Sequence, residues 1–281
     1  MSLEIKLLDL GDIELDSSFL VIARNPGQAV RAPVFGMLIL GADPMIVDTG
    51  YRNPQIMQRL GMRGIPTPEQ GMQKQLAKYG LKFGDVRYLL HTHLHIDHAG
   101  TDDLFPANTT VVVNRRELEY SVSGLMGEQY PPEDIKHLVD RLHVKNGLRL
   151  LDLEISGDEE IIPGVVCQAA YAHTEGAMNV LVDTAEGRAC ICGDVIYDIN
   201  DQLATPMWQV GEMEPAYTGN HGTTKRGEKG GMKRVMSGNR FVLPAHDRPG
   251  VLDRGQVIGR LHDSVPGPLI GALPRRTWMP V

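Results

Sequence analysis

Apolar residues in the first third of the chain come in short runs, at 3–8, 19–23, 34–40 and 45–47, with Gly and Pro between them. Runs of this length bounded by turn residues read as strands, so the chain is expected to open with a sheet. The spacing changes at 68–79, where Met72, Leu76 and Tyr79 recur every three or four residues and Gly80 supplies a stop, which predicts a helix. An unbroken apolar run at 86–90 predicts a buried strand, and a strand at 110–113 leads into polar helical stretches at 114–121 and 132–143. Further strands are predicted at 148–151, 159–162, 165–170, 178–183 and 188–192. Strands and helices thus recur twice, as in two sheets packed face to face with helices outside.

A length of 281 residues admits one large domain or two small ones. With no internal repeat and no long linker, 1–281 is read as a single domain, with a helical insertion near 114–147. From about 250 the Gly- and Pro-rich tail, with Pro266, Pro268, Pro274 and Pro280, is expected to be irregular.

Composition narrows the partners. The chain is 42% hydrophobic and 22% charged, ordinary for a globular protein with a sizeable core. Its net charge of −7 argues against a nucleic-acid partner, which favours a basic stripe. Lys225, Arg226, Lys229, Lys233, Arg234 and Arg240 do cluster, but Gly227, Gly230 and Gly231 interrupt them and no aromatic residue is interleaved. The cluster reads as the solvated face of a helix. Three cysteines, Cys167, Cys190 and Cys192, indicate no disulfide framework and fit a reducing cytoplasm. The start, MSLEIKLLDLGDIELD, lacks the order of a signal peptide, and no apolar run approaches the ~20 residues that span a bilayer. A small-molecule substrate and a homodimer are the expectations that remain.

The chemistry concentrates in His91-Thr92-His93-Leu94-His95-Ile96-Asp97-His98-Ala99-Gly100, directly after a predicted buried strand. A single histidine is ordinarily a hydrogen-bonded polar residue, whereas four within 91–98 exceed any packing need. Imidazole and carboxylate are the usual ligands of zinc and related ions, and alternate residues of an extended segment project to one side. His93 and His95 can therefore share one metal, while Asp97 and His98, after the chain has turned, can address a second. His173, Asp194 and His246 each follow a predicted strand beside a small residue or Pro. Taken singly, each also reads as a turn or capping residue.

The pattern HxHxDH followed by single His, Asp and His resembles the metallo-β-lactamase superfamily over most of the chain, and Met45-Ile46-Val47-Asp48-Thr49-Gly50 looks like the strand and turn that precede its metal loop. The resemblance implies an αββα sandwich of two mixed sheets flanked by helices, with two divalent metal ions at one edge. It implies His93, His95 and His173 on one ion, Asp97, His98 and His246 on the other, and Asp194 between them. Zinc is the first expectation, with iron or manganese also compatible with such donors. Tyr197, three residues after Asp194, matches a tyrosine that points at the substrate carbonyl in the quorum-quenching N-acyl-homoserine lactonases. Residues 25–33, NPGQAVRAP, resemble the N-terminal loop of pyridoxolactonases. The segment Tyr171-Ala172-His173-Thr174-Glu175-Gly176-Ala177-Met178 departs from the lactonases, which have Pro-Gly before this histidine and a second histidine after it. His91 stands where relatives carry an apolar or small residue, and reads equally as a support for the ligands or as a buried, hydrogen-bonded histidine.

The activity implied is opening of a lactone or cleavage of an ester by a hydroxide generated between the two ions. Asp97 would take and return the proton, and Tyr197 would donate to the oxyanion. Two alternatives stand beside it: hydrolysis of another bond, such as an aryl ether, thioester or phosphodiester, and a metal-binding protein without turnover. The pocket walls are expected from 26–34, from about 120–147 and from the tail.

Overall fold

Successive side chains of a strand point to opposite faces of its sheet, and the strand β1 (Glu4–Asp16) serves two layers in this way. Ile5 and Leu7 enter one apolar cluster, while Leu8 and Leu10 enter another. Its pairing with β2 (Ala29–Leu40) shifts register between Asp9 and Asp12, after which Ile13 and Leu15 join a third cluster. The computed structural model describes residues 2–21, 25–125, 127–204, 224–270 and 279–280.

Beyond β2 the first sheet continues through β3 (Met45–Val47), antiparallel to it. The strand β4 (Arg63–Ile65) pairs with β1. Parallel to β3 run β5 (Tyr88–Leu90), β6 (Thr110–Asn114) and β7 (Leu148–Leu151), in that order. The second sheet is built from β8 (Glu159–Ile162), β9 (Val165–Ala169), β10 (Met178–Thr184), β11 (Gly187–Gly193), β12 (Phe241–Pro244), β13 (Gly250–Asp253) and β14 (Gln256–Arg260), neighbours in chain order. Two short strands, β15 (Ser264–Val265) and β16 (Met279–Pro280), return to β1 and β2.

The space between the sheets is filled from both sides, by Ile5, Met37, Ile39, Val47 and Val112 of the first and Cys167, Val180, Val182, Ile191 and Leu243 of the second. Outside the first sheet, Leu38, Ile46, Leu89 and Val111 pack on Met72 and Leu76 of one helix and Ile135 and Leu138 of another. Outside the second, Cys190, Cys192 and Val242 pack on Met232 and Val235 of the helix Lys225–Met236. The layers are αββα.

Three expectations need correction. The run at 19–23 does not begin as a strand: Ser17–Phe19 is a single 3-10 turn. Asp16 caps it through Ser18 N at 2.9 Å, and residues 22–24 lie outside the described residues. The helix expected over 68–79 is Met72–Ala77. Gln70 instead closes a turn by accepting from Thr67 N, and Leu81 N returns to Leu76 O past the left-handed Gly80. The tail from 250 is not irregular over Gly250–Arg260, where two strands form. Val251 and Leu252 with the partly buried Val257 make a hairpin. Its turn, Arg254-Gly255, has φ of 49° and 76°, the backbone that matches strand twist. Pro274 lies outside the described residues.

Ile191 is 1% exposed in the inter-sheet layer. Replacing it with Ala should lower unfolding stability by about 2–5 kcal/mol, read by urea denaturation. An unchanged midpoint would count against a shared core between the sheets.

Candidate metal centre

The donors stand at strand ends along one edge of the sandwich. The strand β5 delivers His93, His95, Asp97 and His98; His173 follows β9, Asp194 follows β11 and His246 follows β12. Close approach of two loops is needed to bring Asp194 to the β5 loop. Gly193 permits it, because a Cβ at that residue, whose φ is +49°, would lie 2.4 Å from Thr92 Oγ1.

Two groups of donor atoms result. His93, His95, His173 and Asp194 form one, and Asp97, His98 and His246 the other, all of them buried. His93 Nε2, His95 Nδ1 and His173 Nε2 lie 3.0–3.1 Å from one another. The Asp194 carboxylate stands between the groups. Its Oδ2 is 3.5 Å from His173 Nε2 and 3.8 Å from His93 Nε2, while its Oδ1 is 3.3 Å from both His98 Nε2 and His246 Nε2. Asp97 Oδ2 lies 3.4 Å from His246 Nε2.

Partners outside the centre fix which ring nitrogen faces inward. His98 Nδ1 donates to Asp48 Oδ2 at 2.9 Å and His246 Nδ1 to Pro33 O at 2.8 Å. His93 Nδ1 is 3.1 Å from Thr92 Oγ1, whose own proton goes to Asp48. In each ring Nε2 is thereby the nitrogen that faces the centre. His98 Nε2 and Asp194 Oδ1 are buried without a hydrogen-bond partner, and three imidazole nitrogens, of His93, His95 and His173, converge on one point. Buried polar atoms are as a rule satisfied, so this donor set fits two divalent cations.

The electrostatics of the two groups differ. Burial, reinforced by the neighbouring imidazoles, pushes His93 and His95 well below the usual histidine range, and burial takes His173 down to about 4. These rings are neutral, the form that ligates. Burial also opposes charge on His98 and His246, but there the carboxylates outweigh it. Asp194, Asp48 and Asp97 hold His98 well above its usual range, and Asp194 and Asp97 raise His246 to about 10. Burial and the Asp194 charge keep Tyr197 protonated.

Tyr197 stacks on His246 with ring centroids 5.4 Å apart. With His95, Asp97, Asp194 and His246 it forms the floor of an open cleft. The walls are Ile13, Leu15, Phe19, Leu20, Leu60, Met62 and Ile96, with the amide of Gln129. Among the described residues the cleft is therefore walled by the end of β1 and the turns near 19 and 60. Among the described residues of the segments expected to wall it, 120–147 contributes, through Gln129.

Supporting residues were the part least visible in the sequence. Asp48 lay in the segment that resembles the superfamily, yet no role followed from that; its carboxylate receives Thr92 N, Thr92 Oγ1 and His98 Nδ1. His91 is fully buried, with Nε2 2.7 Å from Asp102 and Nδ1 3.6 Å from Asp48, and although burial opposes the charge, Asp102 raises it to about 9. It belongs to the buried network behind Asp48. Asp247 accepts from Ile199 N and pairs at 2.8 Å with Arg260, 1% exposed and from the segment expected to be irregular. A charged residue directly after a candidate ligand was the available signal for Asp247.

A sandwich with this edge is the architecture of a metal-dependent hydrolase. Residues 32–229 match the Metallo-beta-lactamase superfamily, and the chain belongs to it. It is 29% identical over 187 residues to an N-acyl homoserine lactonase of Bacillus thuringiensis subsp. kurstaki, across 63% of this chain and 68% of the relative. It is 30% identical over 184 residues to an N-acyl homoserine lactonase of a Bacillus species, across 62% and 68%. Two solved structures share the fold. An N-acyl homoserine lactone hydrolase with N-hexanoyl-L-homoserine at its catalytic metal centre aligns with a TM-score of 0.65 at 23% identity, covering 84% and 88% of the two chains. A probable metal-dependent hydrolase from Staphylococcus aureus aligns with a TM-score of 0.70 at 18% identity, covering 98% of each.

Because Asp194 turns one oxygen to each group, Asp194→Ala should reduce metal loading at both positions, whereas His246→Ala should weaken chiefly the position shared with Asp97 and His98. Elemental analysis with crystallographic occupancies checks this. Loss of the same single ion in both variants would show that Asp194 does not join the two.

Proposed function

We propose that this protein is a dimetal lactonase that opens N-acyl-homoserine-type lactones bearing an apolar substituent. The observation that carries this reading is the cleft itself, apolar on its walls and polar on its floor. The wall residues would take the acyl chain, with burial contributing about 25 cal/mol per Å² of apolar surface. Gln129 offers the amide of the substrate a hydrogen-bonding partner. Two divalent cations, held by His93, His95 and His173 and by Asp97, His98 and His246, with Asp194 between, would supply Lewis acidity and a nucleophile at neutral pH.

The remaining work falls to the chain. Asp97, at the floor of the cleft, takes the proton of the attacking water and returns it to the leaving ring oxygen. The Tyr197 hydroxyl, protonated throughout, donates to the carbonyl oxygen as negative charge develops on it. Zinc is the ion we assign first, given five histidines among the donors. The named relatives support a quorum-quenching role, and the free, buried Cys167, Cys190 and Cys192 suit a reducing cytoplasm. Among the described residues no helix is long and apolar enough to cross a membrane.

Purified protein should hold about two transition-metal ions per chain and open N-acyl homoserine lactones, with activity lost to a chelator and restored by metal. A stoichiometry near zero after metal-supplemented expression would sink the dimetal reading. Full metal loading without lactone turnover, but with turnover of an aryl ether, thioester or phosphodiester, would move the assignment to that bond.

Tyr197→Phe removes only the hydroxyl, so metal content and fold should be unchanged. An oxyanion donor that shares its load with cations contributes about 1–2.5 kcal/mol, so kcat should fall roughly 5- to 70-fold with KM little altered. An unchanged kcat would refute the role of Tyr197.

A further inference from the structure

Among buried acidic groups outside the donor set, Glu117 is distinctive. It is 0% exposed in the first turn of the helix Arg115–Ser121. Glutamate is seldom fully buried unless paired, yet the hydrogen bonds it receives come from neutral donors. Its Oε1 accepts from Leu94 N at 2.9 Å and from the Tyr130 hydroxyl at 3.0 Å. Its Oε2 accepts from Thr174 Oγ1 at 2.6 Å, and Gly176 N also donates to the carboxylate.

The positions of these donors give the contact its meaning. Leu94 lies between His93 and His95, and Thr174 follows His173. The Tyr130 ring packs on His95 with centroids 4.9 Å apart. One carboxylate therefore touches the immediate neighbours of all three histidines of one group. The His173 loop needs such an anchor, because Tyr171 and His173 carry φ of 54° and 69°, a region unfavourable to side chains with a Cβ. Gly176 lets that loop close on the helix, since a Cβ there would lie 2.0 Å from Glu117 N, and Asn114 Nδ2 donates to Gly176 O at 2.9 Å. The second group is supported elsewhere, His98 by Asp48 and His246 by Pro33 O.

We propose that Glu117 is a positioning residue for one metal only, tying the loops that carry His93, His95 and His173 into a single rigid donor set. The inference rests on the dimetal reading above. Glu117→Gln keeps the shape but replaces one acceptor oxygen by a donor, which opposes either Thr174 Oγ1 or the pair Leu94 N and Tyr130.

The test is zinc binding by the full-length protein, with chelator competition in solution and anomalous diffraction to read the occupancy of each position at limiting zinc. Support of metal ligands from outside is ordinarily worth about 10- to 100-fold in affinity. In Glu117→Gln the His93–His95–His173 position should weaken by that factor, with the Asp97–His98–His246 position changed less than about threefold. Thr174→Val, which removes one donor and no bulk, should weaken the same position by a smaller factor, and it carries the test if Glu117→Gln does not fold. A merely structural role would lower the melting temperature of the metal-free protein without distinguishing the two positions. Wild-type protein that takes up two zinc ions, with variants that lose both equally or neither, would overturn the role of Glu117 alone. Wild-type protein that takes up none would overturn the dimetal reading, and this inference with it.

Discussion

The centre depends on imidazole rings being held so that one nitrogen of each faces inward. Here Asp48, Pro33 O and Thr92 take the outer nitrogens of His98, His246 and His93. Bringing so many donors out of water is unfavourable until cations occupy the space between them, so folding of this edge and metal uptake are linked. The sandwich supplies the stiffness that this linkage needs. Strand ends from both sheets meet at the edge, and β2 reaches the second sheet's loop through Phe35 N to Ala245 O at 2.8 Å, next to the contact of His246 with Pro33.

Much of this was legible in the sequence because short-range pattern and local chemistry coincide in it. The run at 86–90 ends where the donors begin, and HxHxDH needs only an extended segment and a turn to address two ions. Among the strands at 148–192, Val165 to Ala169 follows the alternation of its apolar residues, buried at every second position. What escaped reading was long-range. Nothing near Glu117 distinguishes it from Glu119 two residues on; only the fold shows that one faces the donor loops. Arg260 and Asp247 are separated by a hairpin whose Gly- and Pro-rich surroundings suggested an irregular chain. The 3-10 turn at Ser17–Phe19 depends on Asp16 turning back on Ser18, a local competition that the hydrophobicity of 19–23 conceals.

The two donor groups are alike in composition but not in electrostatics, and their supports differ accordingly. Around His93, His95 and His173, burial dominates and the rings stay neutral. Their anchor, Glu117, reaches them only through neighbouring backbone and side chains. Around His98 and His246 the carboxylates of Asp48, Asp97 and Asp194 act directly, and the rings are drawn toward charge. Asp194 is the element common to both, which makes it the group whose loss couples the two halves.

Recognition and chemistry are placed on different elements. The apolar walls come from Ile13 and Leu15 of β1 and from the turns that carry Leu20, Leu60 and Met62, none of which is a donor. The donors come from the ends of β5, β9, β11 and β12. Ile96 belongs to both, lying in the wall and between His95 and Asp97. Substitutions in the β1 wall can therefore reshape the cleft while leaving the inward nitrogens aimed, whereas a change at Ile96 moves wall and donors together. A site organised in this way can alter which substituent it accepts without rebuilding the geometry that cleaves the bond.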